Sequence, residues 1–181
     1  MGKIGTSKNL SNNSTTQGGG VITKPSGFKD RAEEYIGGGI GIDDVFTPQD
    51  LKYIESNMEN ISNVMYRVEE GLYTAQDLDS GKLNSSNFKF SGTFRSFTSD
   101  IGFIQDSLDP DSDGYAYMRN PVIFEVTGNK KAFDMEPYAT YYHTHFGSQS
   151  ESLMGGNYSK TGEYYKDING QKIRVIKLKQ R

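Results

Sequence analysis

The sequence contains no cysteine and no tryptophan. Without cysteine the chain cannot form disulfides, thiolate metal sites or a thiol nucleophile. This absence leaves the compartment open, because cysteine-free proteins occur in reducing and in oxidising environments. No run of residues approaches the length of a transmembrane span, and the first residues lack the apolar core of a signal peptide. We therefore expect a cytoplasmic protein that does not interact with a membrane.

An excess of basic residues is also missing. Lys and Arg number 20 and Asp and Glu number 23, which gives a formal net charge of −3. A protein that coats nucleic acid needs a basic face to release counterions, so the balance argues against that class without excluding a local basic patch. A length of 181 residues suits one domain.

Large apolar side chains are scarce in residues 1–26, which are rich in Ser, Thr, Asn and Gly. Such a segment cannot bury enough surface to offset its ordering entropy. We predict a flexible leader over 1–26 and a single domain over 27–181. A delivery or tethering segment is the alternative interpretation of the leader, and Met1–Thr6 fits the loose N-myristoylation pattern.

Two helices are expected before residue 60. Residues 28–36 form a short helical pattern that ends at Gly37–Gly39, where glycine supplies the left-handed geometry of a helix end. Thr47 can cap the second helix, Pro48 suits its first turn, and Asp50 favours its positive end.

The pattern changes to β structure after residue 63. Strands are expected at five places, and the Asn169–Gly170 turn before the last of them is a strong hairpin signal. Helices that precede strands suggest an α+β fold. The expected strands are residues 64–68, 88–98, 122–126, 132–135 and 173–178.

Three short segments contain candidate catalytic residues: Tyr66-Arg67, Phe94–Ser99 and Phe146–Glu151. Each segment alone is a weak signal. Together, and in this order, they resemble the ADP-ribosyltransferase family with its Arg, Ser-Thr-Ser and Gln/Glu-x-Glu signature, over about residues 47–181. The resemblance implies N-terminal helices packed on two small antiparallel β-sheets, with NAD⁺ in the cleft between them.

The resemblance implies transfer of ADP-ribose from NAD⁺ to a macromolecule. Loss of nicotinamide passes through an oxocarbenium-like transition state, which an anion such as Glu151 stabilises. Arg67 offers the charged fork that a pyrophosphate needs. Ser96 is the best candidate for holding the carboxylate, and Thr98 is the next. The resemblance also implies that NAD⁺ is the substrate and that no metal is required. It further implies a monomeric phage or toxin-type enzyme that acts in the producing or target cell.

The sequence departs from the family pattern at two places. Val68 follows Arg67, where the family usually has glycine at the nicotinamide, and Val68 is therefore the residue expected to line that part of the cofactor site. The Ser-Thr-Ser element reads Ser96-Phe97-Thr98 or, in a second register, Phe97-Thr98-Ser99. The second register would replace Ser96 by Ser99.

The acceptor is indicated by Gln149, two positions before Glu151. Members of the family with glutamine at this position modify asparagine or guanine, whereas arginine-modifying members tend to have glutamate. Phe146 occupies the place of a target-recognition aromatic. The resemblance therefore implies that Phe146 and Gln149 face a protein side chain or a nucleic acid base.

Other functions remain open on the sequence. His143 and His145, the only histidines, would point to one face of a strand and suit a metal-dependent hydrolase. Residues 109–114 copy the first half of a calcium loop, but Asn120 stands where a bidentate glutamate is needed. A non-catalytic binding or virion-associated module on a degenerate transferase fold is the third alternative.

Overall fold

The computed structural model describes residues 22–38, 41–71, 88–113, 116–139 and 150–181. Four helices lie within these ranges: α1 Phe28–Gly38, α2 Ile42–Val45, α3 Pro48–Ser56 and α4 Ile101–Ser107. The strands are β1 Glu59–Ile61, β2 Met65–Glu69, β3 Phe94–Thr98, β4 Val122–Val126, β5 Lys130–Asp134, β6 Glu151–Gly155, β7 Tyr158–Ile168 and β8 Gln171–Gln180. A short 3₁₀ helix, Glu136–Tyr138, follows β5.

Helices α1 and α3 confirm the two helices expected from the sequence. In α1 the fully buried positions Phe28 and Ala32 and the nearly buried Ile36 recur every fourth residue, so they lie on one face. In α3 the side chain of Thr47 accepts a hydrogen bond from the amide of Asp50, and the Asp50 carboxylate accepts one from the Thr47 amide. This reciprocal capping box satisfies donors that the first turn would otherwise leave open.

An ion pair connects these two helices. Nε and Nη2 of Arg31 donate to the two oxygens of Asp50 at 2.7 and 2.8 Å, and the Asp50 side chain is fully buried. Burial acts to raise the pKa of Asp50, but hydrogen bonds from Arg31 and Thr47 outweigh it and hold that pKa below its usual value. Asp50 therefore both caps α3 and fixes α1 against it.

The strands form one eight-stranded sheet in the order β1-β5-β6-β3-β2-β4-β8-β7. The expected α+β fold is confirmed, and the two small sheets expected from the sequence correspond to the two halves of this sheet. Two four-stranded halves are continuous through β2 and β3, and β4 pairs with β8 in parallel. The parallel pair arises because the antiparallel β7–β8 hairpin, from the end of the chain, adds β8 to the free side of β4.

Alternating side chains give the sheet two buried faces. One face contributes residues from both halves, including Met65, Phe97 and Phe124, to a common cluster. On the other face, Phe94 and Leu153 of the first half pack against α1–α3. In the second half, the side chains that point away from the common cluster pack against α4. The helices therefore cover one face of each half.

The sequence did not predict every element of the structure. It did not predict α2, α4, β1, β6 or β7, and the long segment expected over 88–98 is a strand only at Phe94–Thr98. Strand β7 is mostly polar, and its pairing with β8 depends on the turn in which Asn169 and Gly170 both have positive φ. This turn confirms the hairpin signal.

Within the described ranges, no helix has the length and apolar character needed to cross a membrane. Residues 1–21 and the lipidation pattern of Met1–Thr6 lie outside these ranges, so the leader remains a prediction.

Candidate active site

The two halves of the sheet meet at one register pair, Tyr66 of β2 with Thr98 of β3. We call this pair the junction. By contrast, β2 pairs along its whole length with β4, and β3 pairs along its whole length with β6. Beyond the junction, β2 and β3 therefore diverge, and their facing backbone groups do not pair with each other. Other groups must form hydrogen bonds with these N–H and C=O groups.

Arg67 lies immediately beside the junction. Its Nη1 donates to the backbone carbonyl of Ser96 at 2.9 Å, across the gap between β2 and β3. Its Nε donates to Oε1 of Glu69 at 2.7 Å. The ion pair limits the side-chain rotamers of Arg67, and about a fifth of the side chain stays exposed. A guanidinium has five N–H donors, so its orientation is fixed while donors remain for a further anionic group.

Glu151 begins β6 directly opposite Thr98 of β3. Ser96 lies two positions along β3 from Thr98, so Ser96 and Glu151 are diagonal neighbours on one face of the sheet. The residue before Glu151, Ser150, has a φ of 47°, in the left-handed region that is uncommon for residues other than glycine. The Ser150 carbonyl accepts from the Ser99 amide, which fixes the chain as it enters β6.

Tyr35 of α1 completes the cluster. Its hydroxyl lies close enough to the side chains of Glu151 and Ser96 for both to affect its pKa. Burial raises the pKa of Tyr35 well above its usual range, and the negative charge of Glu151 adds to this rise, while Ser96 and the charge of Arg67 oppose it. Tyr35 is therefore protonated at neutral pH, near the hydroxyl of Ser96 and the carboxylate of Glu151.

The sequence analysis did not identify Tyr35. The available signal was a tyrosine seven residues after Phe28, on the buried face of a predicted helix. A buried tyrosine usually finds a hydrogen-bond partner for its hydroxyl. Tyr35 packs at 5.7 Å from the ring of Phe46, between centroids, so its position depends on α2 as well as α1.

The side chains of Thr98 and Val68 both have clear packing roles. Thr98 is buried, and its Oγ1 accepts from the amide of Asp100 at 2.9 Å. Val68 points to the face that packs against α4, in a cluster with Ile123 and Val175. A valine at this position therefore fills the core, which gives a structural reason for the departure from glycine.

The two possible registers of the Ser-Thr-Ser element begin with serines or neighbours that make different contacts. Ser96 lies near the Tyr35 hydroxyl and is the diagonal neighbour of Glu151. Ser99 lies after the end of β3 and uses its backbone amide toward Ser150. The geometry favours the register that begins at Ser96.

The remaining sequence candidates fall partly outside the described ranges. Phe146, Gln149, His143 and His145 all lie in 140–149, which the structure does not describe. Elsewhere in the described ranges there is no group of three or more His, Cys, Asp or Glu side chains that could hold a metal. At the calcium-like segment, Oδ1 of Asp109 accepts from the Asp111 amide at 3.0 Å, as in an ordinary polar turn.

No protein-family model matches the chain, and comparison with curated proteins finds no match. Among solved structures, the C3 exoenzyme of Clostridium limosum superimposes with a TM-score of 0.50 at 15% identity, covering 88% of this chain and 87% of that one. An ADP-ribosyltransferase from Clostridium botulinum gives 0.47 at 16% identity, covering 86% and 87%. An ADP-ribosyltransferase toxin from Paenibacillus larvae gives 0.46 at 14%, covering 86% of each chain. The Clostridium limosum structure shows that the chain shares its mixed α+β fold, the fold class that the sequence resemblance implied.

Proposed function

We propose that this protein is a mono-ADP-ribosyltransferase that transfers ADP-ribose from NAD⁺ to a macromolecular acceptor. The observation that carries the proposal is the convergence at the junction of Arg67, Ser96 and Glu151, which come from three separate strands. These are the residues that the sequence resemblance selects. Their order in the chain did not require them to meet.

The reaction needs an anion beside the reacting ribose. The bond between ribose C1′ and the nicotinamide nitrogen breaks, and nicotinamide leaves as a neutral molecule. The acceptor nucleophile then bonds to C1′ and releases one proton. Positive charge develops on the ribose in between, and a preorganised carboxylate stabilises it. Glu151 fits this role because Tyr35 restricts its orientation before substrate binds.

Arg67 fits the pyrophosphate of NAD⁺. A planar guanidinium makes two parallel hydrogen bonds to phosphate oxygens. The contacts with Glu69 and the Ser96 carbonyl orient the fork without using all its donors. Ser96 acts on Glu151 through the Tyr35 hydroxyl, and Thr98 keeps β3 in register opposite Glu151.

The acceptor is proposed from the sequence. Because we assign Glu151 to NAD⁺, we propose from the sequence that Gln149 and Phe146 contact the incoming macromolecule. A glutamine amide donates and accepts at once, which suits an asparagine amide or a guanine edge better than a guanidinium.

The test is the release of nicotinamide from NAD⁺ by the full chain and by Glu151→Gln. The substitution keeps the shape and removes the charge, and we expect a rate loss of about 10²–10³-fold, by analogy with the loss of other preorganised electrostatic contacts. Glu55→Gln is the matched control, since Glu55 is exposed on α3, and it should retain the wild-type rate. A Glu151→Gln rate within about threefold of wild type would remove the basis of the proposal.

A further inference from the structure

A concave site lies in the second half of the sheet, separated from β3 by β2 and β4. It surrounds the start of β8 and has a volume of about 430 Å³, within the range of ligand-binding sites. We call it the β8 cavity. It is lined by Gly71, Met118, Asn120, Pro121, Val122, Tyr165, Gln171, Lys172, Ile173 and Arg174.

Two backbone segments are pressed together to form one wall of the β8 cavity. The Gly71 amide donates to the carbonyl of Arg119 at 3.0 Å. A Cβ at Gly71 would lie 1.9 Å from the carbonyl oxygen of Asn120, so a side chain at this position would force the wall apart. Asn120 itself has a φ of 49°. The wall is thus fixed by hydrogen bonding and by the lack of a side chain at Gly71.

Among the described residues, the lining of the cavity contains two cations and no carboxylate. Lys172 and Arg174 are two residues apart on β8, so both point to the same face. Arg174 pairs through Nη2 with Glu163, outside the lining, while its buried Nε has no hydrogen-bond partner among the described residues. The lining therefore suits an anionic group.

Aromatic and amide groups accompany these cations. Tyr165 is 57% exposed, and Nζ of Lys172 lies 5.2 Å from the centre of its ring. Bases stack on aromatic rings of this kind. Gln171 and Asn120 each offer an amide, which can donate and accept toward the edge of a base.

The charge of the surrounding hairpin also favours an anionic ligand. Residues 158–181 contain seven Lys and Arg and two Asp and Glu, although acidic residues exceed basic ones in the whole chain. The β7–β8 hairpin is therefore a basic surface on an acidic protein. Such a local surface attracts a polyanion through release of its counterions.

We propose that the β8 cavity binds a nucleotide unit of single-stranded nucleic acid. Lys172 and Arg174 hold a phosphate, Tyr165 stacks with the base, and Gln171 and Asn120 contact its edge. This binding requires no NAD⁺ and no transfer reaction, so it is measured independently of the proposed enzyme activity.

The test uses the full chain without NAD⁺ and a fluorescein-labelled single strand of about ten nucleotides, within the usual site sizes. Fluorescence anisotropy compares wild type with Lys172→Gln and with Lys179→Gln. The control removes the same charge from an exposed position of β8 outside the lining. We expect Lys172→Gln to weaken binding at least fivefold and to lower the slope of log K against log salt by about 0.7. The control should stay within about twofold.

A second pair of variants tests the aromatic contact. Tyr165→Ala should weaken binding roughly tenfold through lost stacking, whereas Tyr117→Ala, at a residue 74% exposed and outside the lining, should not. Guanosine monophosphate, inorganic phosphate and polyglutamate are added as competitors. If the mononucleotide displaces the labelled strand at a concentration similar to that of the strand itself, the site belongs to free nucleotides. If much more mononucleotide is needed, the site belongs to the polymer.

Three results would overturn the proposal. One is affinity unchanged in both Lys172→Gln and Tyr165→Ala. Another is displacement of the strand by inorganic phosphate as readily as by the mononucleotide, which would indicate a simple anion site. The third is equal competition by polyglutamate, which would indicate a general polyanion surface.

Discussion

The hydroxyl of Tyr35 joins two groups that belong to different strands. Both Glu151 and Ser96 affect the pKa of this hydroxyl, so a single side chain of α1 lies next to both groups. A hydrogen bond to a charged group contributes about 1.5–3 kcal/mol. If Glu151 stabilises the transition state, most of this contribution should appear in the chemical step.

We therefore expect Tyr35→Phe to lower kcat for nicotinamide release by roughly 10–100-fold with little change in KM, since the ring remains and only the hydroxyl is lost. Steady-state kinetics on wild type and variant measure the split, with Tyr117→Phe as the control at an exposed tyrosine. An increase in KM at constant kcat would show that Tyr35 contacts substrate instead of positioning Glu151.

Gln149 carries the prediction about the acceptor. Agmatine, which offers only donors from its guanidinium, should be a poor acceptor for the wild type, and Gln149→Glu should improve its use. Gln149→Ala should reduce transfer to the native target more than it reduces hydrolysis of NAD⁺, because hydrolysis needs only water. The two rates are nicotinamide release and label incorporated, and equal losses in both would show that Gln149 does not select the acceptor.

Among the elements, α1 and α3 form the support behind the site. Asp50 caps α3 and accepts both hydrogen bonds of Arg31 from α1. The next turn of α1 carries Tyr35. The position of Tyr35 relative to Glu151 therefore depends on an ion pair that does not itself touch the site.

Asp50→Asn should lower the free energy of unfolding by about 2–3 kcal/mol, because it leaves Arg31 without its charged partner. The folded-state pKa of Asp50 is depressed, so its stabilising contribution is complete above the unfolded pKa of about 4 and is lost as pH falls through the folded value. Urea unfolding between pH 3 and 7 should show a constant difference from wild type at the upper end and a shrinking one below about pH 4. Asp106→Asn, at an exposed position of α4, should show neither effect, and a difference independent of pH would contradict the assigned ionisation.

At the scale of the whole molecule, the two halves of the sheet separate two kinds of chemistry. Around the junction lie a carboxylate, two hydroxyls and a guanidinium, which come from α1, β2, β3 and β6. The second half carries a basic hairpin and the β8 cavity. An overall acidic charge therefore says little about either surface, because the charges are unevenly placed.

The proposed reaction uses Arg67, Ser96 and Glu151 and no metal. Nicotinamide release should accordingly be unchanged, within about twofold, after dialysis against EDTA, whereas a hydrolase built on His143 and His145 would lose activity and regain it with Zn²⁺. The measurement is the rate before chelation, after chelation and after metal is restored. Loss and recovery would favour the metal-dependent alternative.

The local elements with short-range signals could be predicted from the sequence alone. The Thr47–Asp50 cap, the helix from Phe28, the apolar strand Val122–Val126 and the Asn169–Gly170 turn all follow from neighbours within a few residues. The resemblance around Arg67, Ser96 and Glu151 also selected the residues that the fold brings together. Strand β6 and the polar strand β7 escaped prediction because pairing partners, and not their own composition, hold them in the sheet.

The way in which those residues meet depends on pairing and packing between distant parts of the chain. Pairing of β2 with β3 at a single position opens the gap that Arg67 crosses, and the β3–β6 register sets Ser96 diagonal to Glu151. Tyr35 enters the cluster because the Arg31–Asp50 pair fixes α1 on α3. Register and helix docking depend on contacts between residues far apart in the chain, and such contacts leave no periodic pattern in a single sequence.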